Sequence, residues 1–279
     1  MSFHSDDLRI LVFDSGLGGL TVFAPISAAR PDAMLTYVAD DAFFPYGELS
    51  EPALVARVVS LMGELVAAYA PDLVVIACNT ASTLVLAPLR ARFPDLPFVG
   101  TVPAIKPAAA ASRSRLITVL ATPGTVARDY TRALIREFAG DCEVTLVGSH
   151  RLAGVAERAL RGEAVADEEI AAEIAPGYVE RDGRRTDQIV LACTHFPLLD
   201  ARIRAAAPWE AELVDPAPAI ARRVDALAGP VGARRRTELS QAIFTSGASA
   251  PEPLQKALRE RGLTISSASS GAHARPSKG

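Results

Sequence analysis

The sequence is poor in the residues that metal and redox chemistry use. Its 279 residues include three cysteines, four histidines and one tryptophan, and aromatic side chains make up only 6%. Cys78, Cys142 and Cys193 are odd in number and form no Cys-x-x-Cys pair, so reduced thiols in a cytoplasmic compartment are expected rather than a disulfide framework. His4, His150, His195 and His273 lack zinc-like spacing, which disfavours a metal site. There is no Gly-x-Ser-x-Gly elbow for a serine hydrolase and no Gly-Lys-Ser/Thr for a Walker loop. In Gly16-Leu17-Gly18-Gly19-Leu20-Thr21, threonine stands where a dinucleotide fingerprint needs its third glycine. A net charge of -3 gives no reason to expect nucleic acid, and the one dense basic run, Arg234-Arg235-Arg236, reads as a solvated stretch before a strand. No uninterrupted apolar stretch approaches the roughly 20 residues that span a bilayer. Residues 1–7 have neither a basic n-region nor an apolar h-region, so neither a membrane span nor an export signal is expected.

What is abundant is apolar sequence, 49% against 22% charged, in a chain long enough to bury a large core and divide in two. Strand-like and helix-like segments alternate, which predicts an α/β fold with mainly parallel sheets. Strands are expected at 9–13, 34–39, 73–77 and 97–99, with helices over 16–29, 51–69 and 80–92. A second series has strands at 116–120, 143–147 and 188–192, with helices over 125–138, 152–161 and 167–181. Strands at 212–214 and 242–245 are assigned back to the first domain. The openings Asp14-Ser15-Gly16 and Thr122-Pro123-Gly124 lie about as far apart as Cys78 and Cys193, which suggests two pseudo-symmetric three-layer α/β domains. The expected partition is 1–99 with 208–265, an inserted domain over 100–207, and a disordered tail over 266–279, with the active site in the cleft between domains.

The two outer cysteines carry the chemical argument. Cys78 ends Leu73-Val74-Val75-Ile76-Ala77 and precedes Asn79-Thr80, and Cys193 ends Ile189-Val190-Leu191-Ala192 and precedes Thr194-His195. Each reads as a buried strand that stops at a thiol and turns into a helix, where α/β proteins build their sites. Helix N-termini and neighbouring donors favour thiolate. Two thiols facing each other across one substrate would supply the base and the acid that inversion at an unactivated α-carbon requires. A small buried hydrophobe at a strand end is the plain alternative for each, and it is the reading for Cys142. The glycine-rich turn after Asp14-Ser15 could bind a carboxylate through its backbone N–H groups. Tyr46, in Pro45-Tyr46-Gly47, could hydrogen-bond a ligand or simply stiffen a turn.

Four stretches together resemble the aspartate/glutamate racemase superfamily, specifically its glutamate racemase branch. They are Phe13-Asp14-Ser15-Gly16-Leu17-Gly18-Gly19-Leu20-Thr21-Val22, Tyr37-Val38-Ala39-Asp40 with Pro45-Tyr46-Gly47, Ala77-Cys78-Asn79-Thr80-Ala81, and Ala192-Cys193-Thr194-His195-Phe196-Pro197-Leu198. Their order and spacing match across roughly residues 8–228. The resemblance implies cofactor-independent interconversion of L- and D-glutamate, with D-glutamate supplied to peptidoglycan synthesis, by an enzyme often assembled as a homodimer. It makes Cys78 the base for the D-enantiomer and Cys193 the base for the L-enantiomer, assisted by Asp14 and His195. It places the substrate among Asp14, Ser15, Tyr46, Gly47, Asn79, Thr80, Thr194 and His195. Glu157 matches a family acidic residue near the site, with no role assigned. His195 points to glutamate, since aspartate and hydantoin racemases tend to carry Glu after Cys-Thr. Those racemases remain the alternative. A non-catalytic acidic-amino-acid binder would need neither sulfur.

Overall fold

Arg9–Asp14 is apolar on both faces, and such a strand is stable only when covered from both sides. In the computed structural model, which describes residues 8–232, 236 and 239–266, it lies inside a three-layer sandwich. The first half runs β1 (Arg9–Asp14), α1 (Leu20–Ala29), β2 (Met34–Ala39), α2 (Glu51–Tyr69), β3 (Leu73–Ile76), α3 (Asn79–Arg92) and β4 (Phe98–Gly100). Next come α4 (Ile105–Ala111), β5 (Leu116–Ala121), α5 (Pro123–Ala127), α6 (Asp129–Phe138), β6 (Glu143–Gly148), α7 (Leu152–Leu160) and α8 (Asp167–Ile174). They are followed by β7 (Glu180–Arg181), β8 (Arg184–Arg185), β9 (Gln188–Ala192), α9 (Asp200–Ala206) and β10 (Glu212–Val214). The chain closes with α10 (Ala217–Ala228), β11 (Ser240–Phe244), α11 (Glu252–Glu260) and β12 (Leu263–Ile265).

A six-stranded sheet, β12-β11-β2-β1-β3-β4, and a four-stranded one, β10-β9-β5-β6, are parallel throughout. Alternate residues of each strand feed opposite layers. Ile10 and Val12 pack under α1, α10 and α11, whereas Leu11 and Phe13 pack under α2 and α3. In the second sheet, Ile189 and Leu191 face α7, α8 and α9, while Val190 and Ala192 face α4 and α6. Helix α2 is long and apolar enough to cross a membrane by length and composition. Here it is a core helix that buries Leu54, Val58, Leu61, Met62 and Leu65 in the layer facing Leu11 and Phe13.

Several expected elements differ. Residues 212–214 pair with β9, not with the first sheet, so the inserted domain extends to Val214 and the expected boundary at 208 is too early. Its three residues match no strand's pattern by themselves, and the register Glu212↔Gln188 is what decides. The helix expected from Gly16 starts only at Leu20. That over 125–138 breaks at Arg128, whose φ and ψ of -70° and 137° are extended. That over 167–181 ends at Ile174, and β7 and β8 form a hairpin around Asp182-Gly183, both at positive φ, the turn that Asp-Gly favours. Helices α4, α10 and α11 and strand β12 were not anticipated. The tail beyond residue 266 and Arg234 and Arg235 lie outside the described residues, as do His4 and His273.

One buried ion cluster fixes the loop after β2. Asp40 is fully buried and takes two hydrogen bonds from Arg57 (Nε 2.9 Å, Nη2 2.6 Å), one from Tyr46 Oη (2.6 Å) and one from Thr245 Oγ1 (2.6 Å). Removing one partner of a buried pair strands the other charge. Arg57→Ala is therefore expected to lower unfolding stability by about 3 kcal/mol or more in denaturant titration. A change within about 0.5 kcal/mol, the range of an ordinary surface substitution, would show that Asp40 does not need it.

Candidate active site

The carboxyl ends of both sheets meet at one seam, and the glycine turn after β1 forms the contact. Three of its N–H groups donate to the protein's own carboxylates. Gly16 and Gly19 donate to Asp14 Oδ2 at 3.2 and 2.9 Å, and Leu17 donates to Glu157 Oε1 at 2.6 Å. The Gly18 N–H lies 3.2 Å from His195 Nε2. The expected carboxylate-binding turn thus exists, but the carboxylates it holds belong to Asp14 and Glu157. The lack of side chains explains the closeness. A Cβ on Gly18 would stand 2.4 Å from His195 Nδ1, and one on Gly16 would stand 2.3 Å from Glu157 Oε1. Thr21, at the missing-glycine position, bridges the halves by donating to Thr194 O at 3.0 Å.

Cys193, at the end of β9, lies 3.8 Å from His195 Nδ1, and His195 Nε2 lies 2.9 Å from Glu157 Oε1. Nε2 cannot both accept from Gly18 and donate to Glu157. The shorter, charge-assisted contact places the proton on Nε2 and leaves Nδ1 to receive a proton from the thiol. Burial opposes a charged His195, but its hydrogen bonds to Cys193 and Glu157 outweigh that and raise its pKa well above the ordinary value. Burial likewise works to raise the Glu157 carboxyl, yet the His195 hydrogen bond and charge hold it below the usual range. Cys193, His195 and Glu157 form a relay from thiol to carboxylate.

Cys78, at the N-cap of α3, sits in a different setting. Its Sγ is 3.7 Å from Ser15 Oγ. Burial and then the Asp14 charge push its pKa far up, and the Ala81 N–H and Ser15 only partly oppose them. The helix terminus does act in the expected direction, but desolvation wins, so Cys78 rests as a neutral thiol. Asp14 is itself raised, by burial above all, against the His195 charge and the Gly19 and Ser15 N–H groups. The Cys193 charge also raises Cys78, and Asp14 senses both His195 and Glu157. These groups therefore share one small, poorly screened volume.

Three buried polar atoms here have no protein partner: Asp14 Oδ1 and both amide atoms of Asn79. Unsatisfied buried groups are costly and rare, so a cluster of them at a strand end marks where a polar ligand would bond. Thr80 begins a chain of three hydroxyls, Thr80 to Thr122 (3.2 Å) to Thr125 (3.0 Å), that crosses the seam. Thr122 was not nominated from sequence. The matched strand openings at Asp14 and Thr122 were the signal that could have found it. Thr194 is buried, and Gly47 is exposed, its Cβ position 3.9 Å from Thr122 Cβ. The Tyr46 hydroxyl is committed to Asp40, so Tyr46 shapes the loop instead of offering its oxygen to a ligand. Glu157, left without a role from sequence, holds both the turn and the imidazole. Among the described residues no group of three or more His, Cys, Asp and Glu could hold a metal ion.

This chain is similar to known proteins along nearly its whole length. It is 55% identical over 242 residues to the glutamate racemase of Mesorhizobium japonicum, covering 86% of this chain and 92% of that one. It is 53% identical over 265 residues to that of Sinorhizobium fredii, covering 94% and 98%. The crystal structure of Escherichia coli glutamate racemase in complex with L-glutamate and the activator UDP-MurNAc-Ala superposes with a TM-score of 0.85 at 38% identity, over 94% of this chain and 97% of that one. That of Aquifex pyrophilus glutamate racemase gives 0.69 at 27% identity, over 94% and 98%. The sequence profile of the Asp/Glu/hydantoin racemase family matches residues 22–224, and the chain belongs to that family.

Proposed function

We propose that this protein is a glutamate racemase that needs no cofactor, moving the α-proton between Cys78 and Cys193 and supplying D-glutamate for peptidoglycan synthesis. The observation that carries the reading is the unlike pair of buried, electrostatically coupled thiols, one neutral and one backed by an imidazole. In the L-to-D direction His195 Nδ1 takes the Cys193 proton, and the resulting thiolate removes the α-hydrogen. Cys78 then delivers its S–H proton to the opposite face of the carbanion. In the D-to-L direction the roles exchange. Asp14 Oδ1 and the Asn79 amide are the free polar atoms for the substrate's ammonium and carboxylate, with the hydroxyls of Ser15, Thr80 and Thr122 around them. The poorly screened site strengthens each of these contacts while the carbanion exists.

Glutamate is favoured over aspartate by the relatives and by His195, which occupies the position after Cys-Thr. Purified protein given each amino acid in D2O without added cofactor decides this. Interconversion of glutamate with deuterium at the α-carbon is expected, and turnover of aspartate or a hydantoin alone would replace the substrate assignment.

Enantiomers have equal free energies, so the equilibrium constant is one, and kcat/KM must stay equal in both directions in every variant. A base specific to one enantiomer is therefore visible only in half-reactions. Cys78→Ser and Cys193→Ser are each expected to cut racemization by about 10³-fold or more. The first should still exchange the α-hydrogen of L-glutamate with solvent, and the second only that of D-glutamate, followed by NMR. Near-normal racemization by either would remove the two-thiol reading. Gly18→Ala should lower kcat/KM about 10²-fold with the fold retained by circular dichroism, because the added methyl meets the His195 ring. Activity within threefold of wild type would show that this close approach is dispensable.

A further inference from the structure

Helix α6 begins on a residue that its own geometry disfavours. Arg128 is the N-cap, with an extended backbone and no side-chain bond to the helix's free N–H groups, where Ser, Thr, Asp or Asn would supply one. A cation there also faces the positive end of the helix dipole. Its side chain is only 16% exposed, and Nε is buried without a hydrogen-bond partner. A residue that breaks local rules in this way points to a contact made elsewhere.

That contact is with the other domain. Arg128 Nη1 pairs with Oε1 of Glu51, the first residue of α2. Glu51 sits where the dipole of a 19-residue helix favours a carboxylate, so the acidic half of the pair is locally well placed. Every other ion pair among the described residues lies within one domain.

Arg128 closes the short stretch of backbone that carries Thr122. The N–H groups of Thr125 and Val126 donate to Thr122 O at 3.0 and 3.2 Å, and the Arg128 N–H donates to Thr125 O at 3.4 Å. At the start of α5 the Thr122 hydroxyl reaches Thr80, and a Cβ on Gly124 would touch Thr80 Cγ2 at 3.9 Å. Helix α5 thus meets the first domain at both ends, through a hydroxyl pair at one and an ion pair at the other.

Resting on the proposed racemase reading, we propose that Arg128 is a positioning residue whose ion pair with Glu51 clasps α5, and with it Thr122, against the substrate site. The glycine turn ties the domains beside His195, and the clasp ties them beside α3, which starts from Cys78. Glu51 is 60% exposed, so when the pair parts for entry and release its carboxylate stays in water.

A clasp sets the population of closed enzyme, and saturating substrate restores closure without it, so its loss falls on KM and spares kcat. Arg128→Glu and Glu51→Arg each set like charges against one another. Each should raise KM for both enantiomers about tenfold with kcat within about twofold, an effect between those of exposed and buried pairs. The two changes together re-form the pair with its signs exchanged and should bring KM back to within about threefold of wild type, which no loss of packing would do. If the double variant does not fold by circular dichroism, Arg128→Lys against Arg128→Met makes the same comparison, with KM kept by the first and raised by the second. Unchanged KM in the single reversals, a fall in kcat with KM constant, or a double variant no better than the singles would overturn the clasp. If the unaltered protein racemizes no amino acid, the racemase reading falls and takes the clasp with it, whereas racemization without the KM response removes the clasp alone.

Discussion

The contact on which everything else rests is the approach of a bare backbone turn to two ionisable side chains from the other half of the chain. Gly16 and Gly18 leave room for Glu157 and His195, and the N–H of Leu17 between them hydrogen-bonds the Glu157 carboxylate. A side chain on Gly16 would meet the Glu157 carboxylate and one on Gly18 the His195 ring, so one side or the other would have to shift. That contact orients Glu157, which orients His195, which faces Cys193. The first domain therefore supplies Cys78 and Asp14 and also sets the geometry of the second domain's thiol.

The two thiols are chemically unlike, although their sequence settings look alike. Both end a buried strand and begin a polar turn. Cys78 has deep burial and a neighbouring carboxylate, which together favour the neutral form against the Ala81 N–H and the Ser15 hydroxyl. Cys193 has an imidazole backed by a carboxylate. A racemase acting on a substrate and its mirror image needs one group on each face, but the protein around them is not a mirror image. On the proposed two-thiol reading, this asymmetry is what would separate the roles of the two faces.

Much of this was legible in the sequence because it depends on local pattern. Continuous apolar runs at 73–77 and 188–192 read as buried parallel strands, and the structure has them so. What depends on distant partners was not legible. Glu157 lies 140 residues from the Leu17 N–H it accepts, and nothing around it announces that contact. Tyr46 reads as available in the sequence, but its hydroxyl donates to Asp40, a carboxylate that Arg57 and Thr245 also hold. The strand at 212–214 was assigned to the wrong sheet because three residues show no period, and pairing alone decides their place. The break at Arg128 and the Asp182-Gly183 hairpin turn on single backbone conformations inside segments whose polarity reads as helix.

The path of the chain has a mechanical consequence. It leaves the first domain after β4 and comes back at α10, which packs beside β4, so the inserted domain hangs from two neighbouring crossings. A body suspended at two adjacent points swings as a door does, with little travel near the hinge and most at the free edge. Such a swing would carry the Gly18–His195 and Leu17–Glu157 contacts apart together, so that opening the gap to exchange a ligand would also dismantle the acid–base machinery until it shuts again.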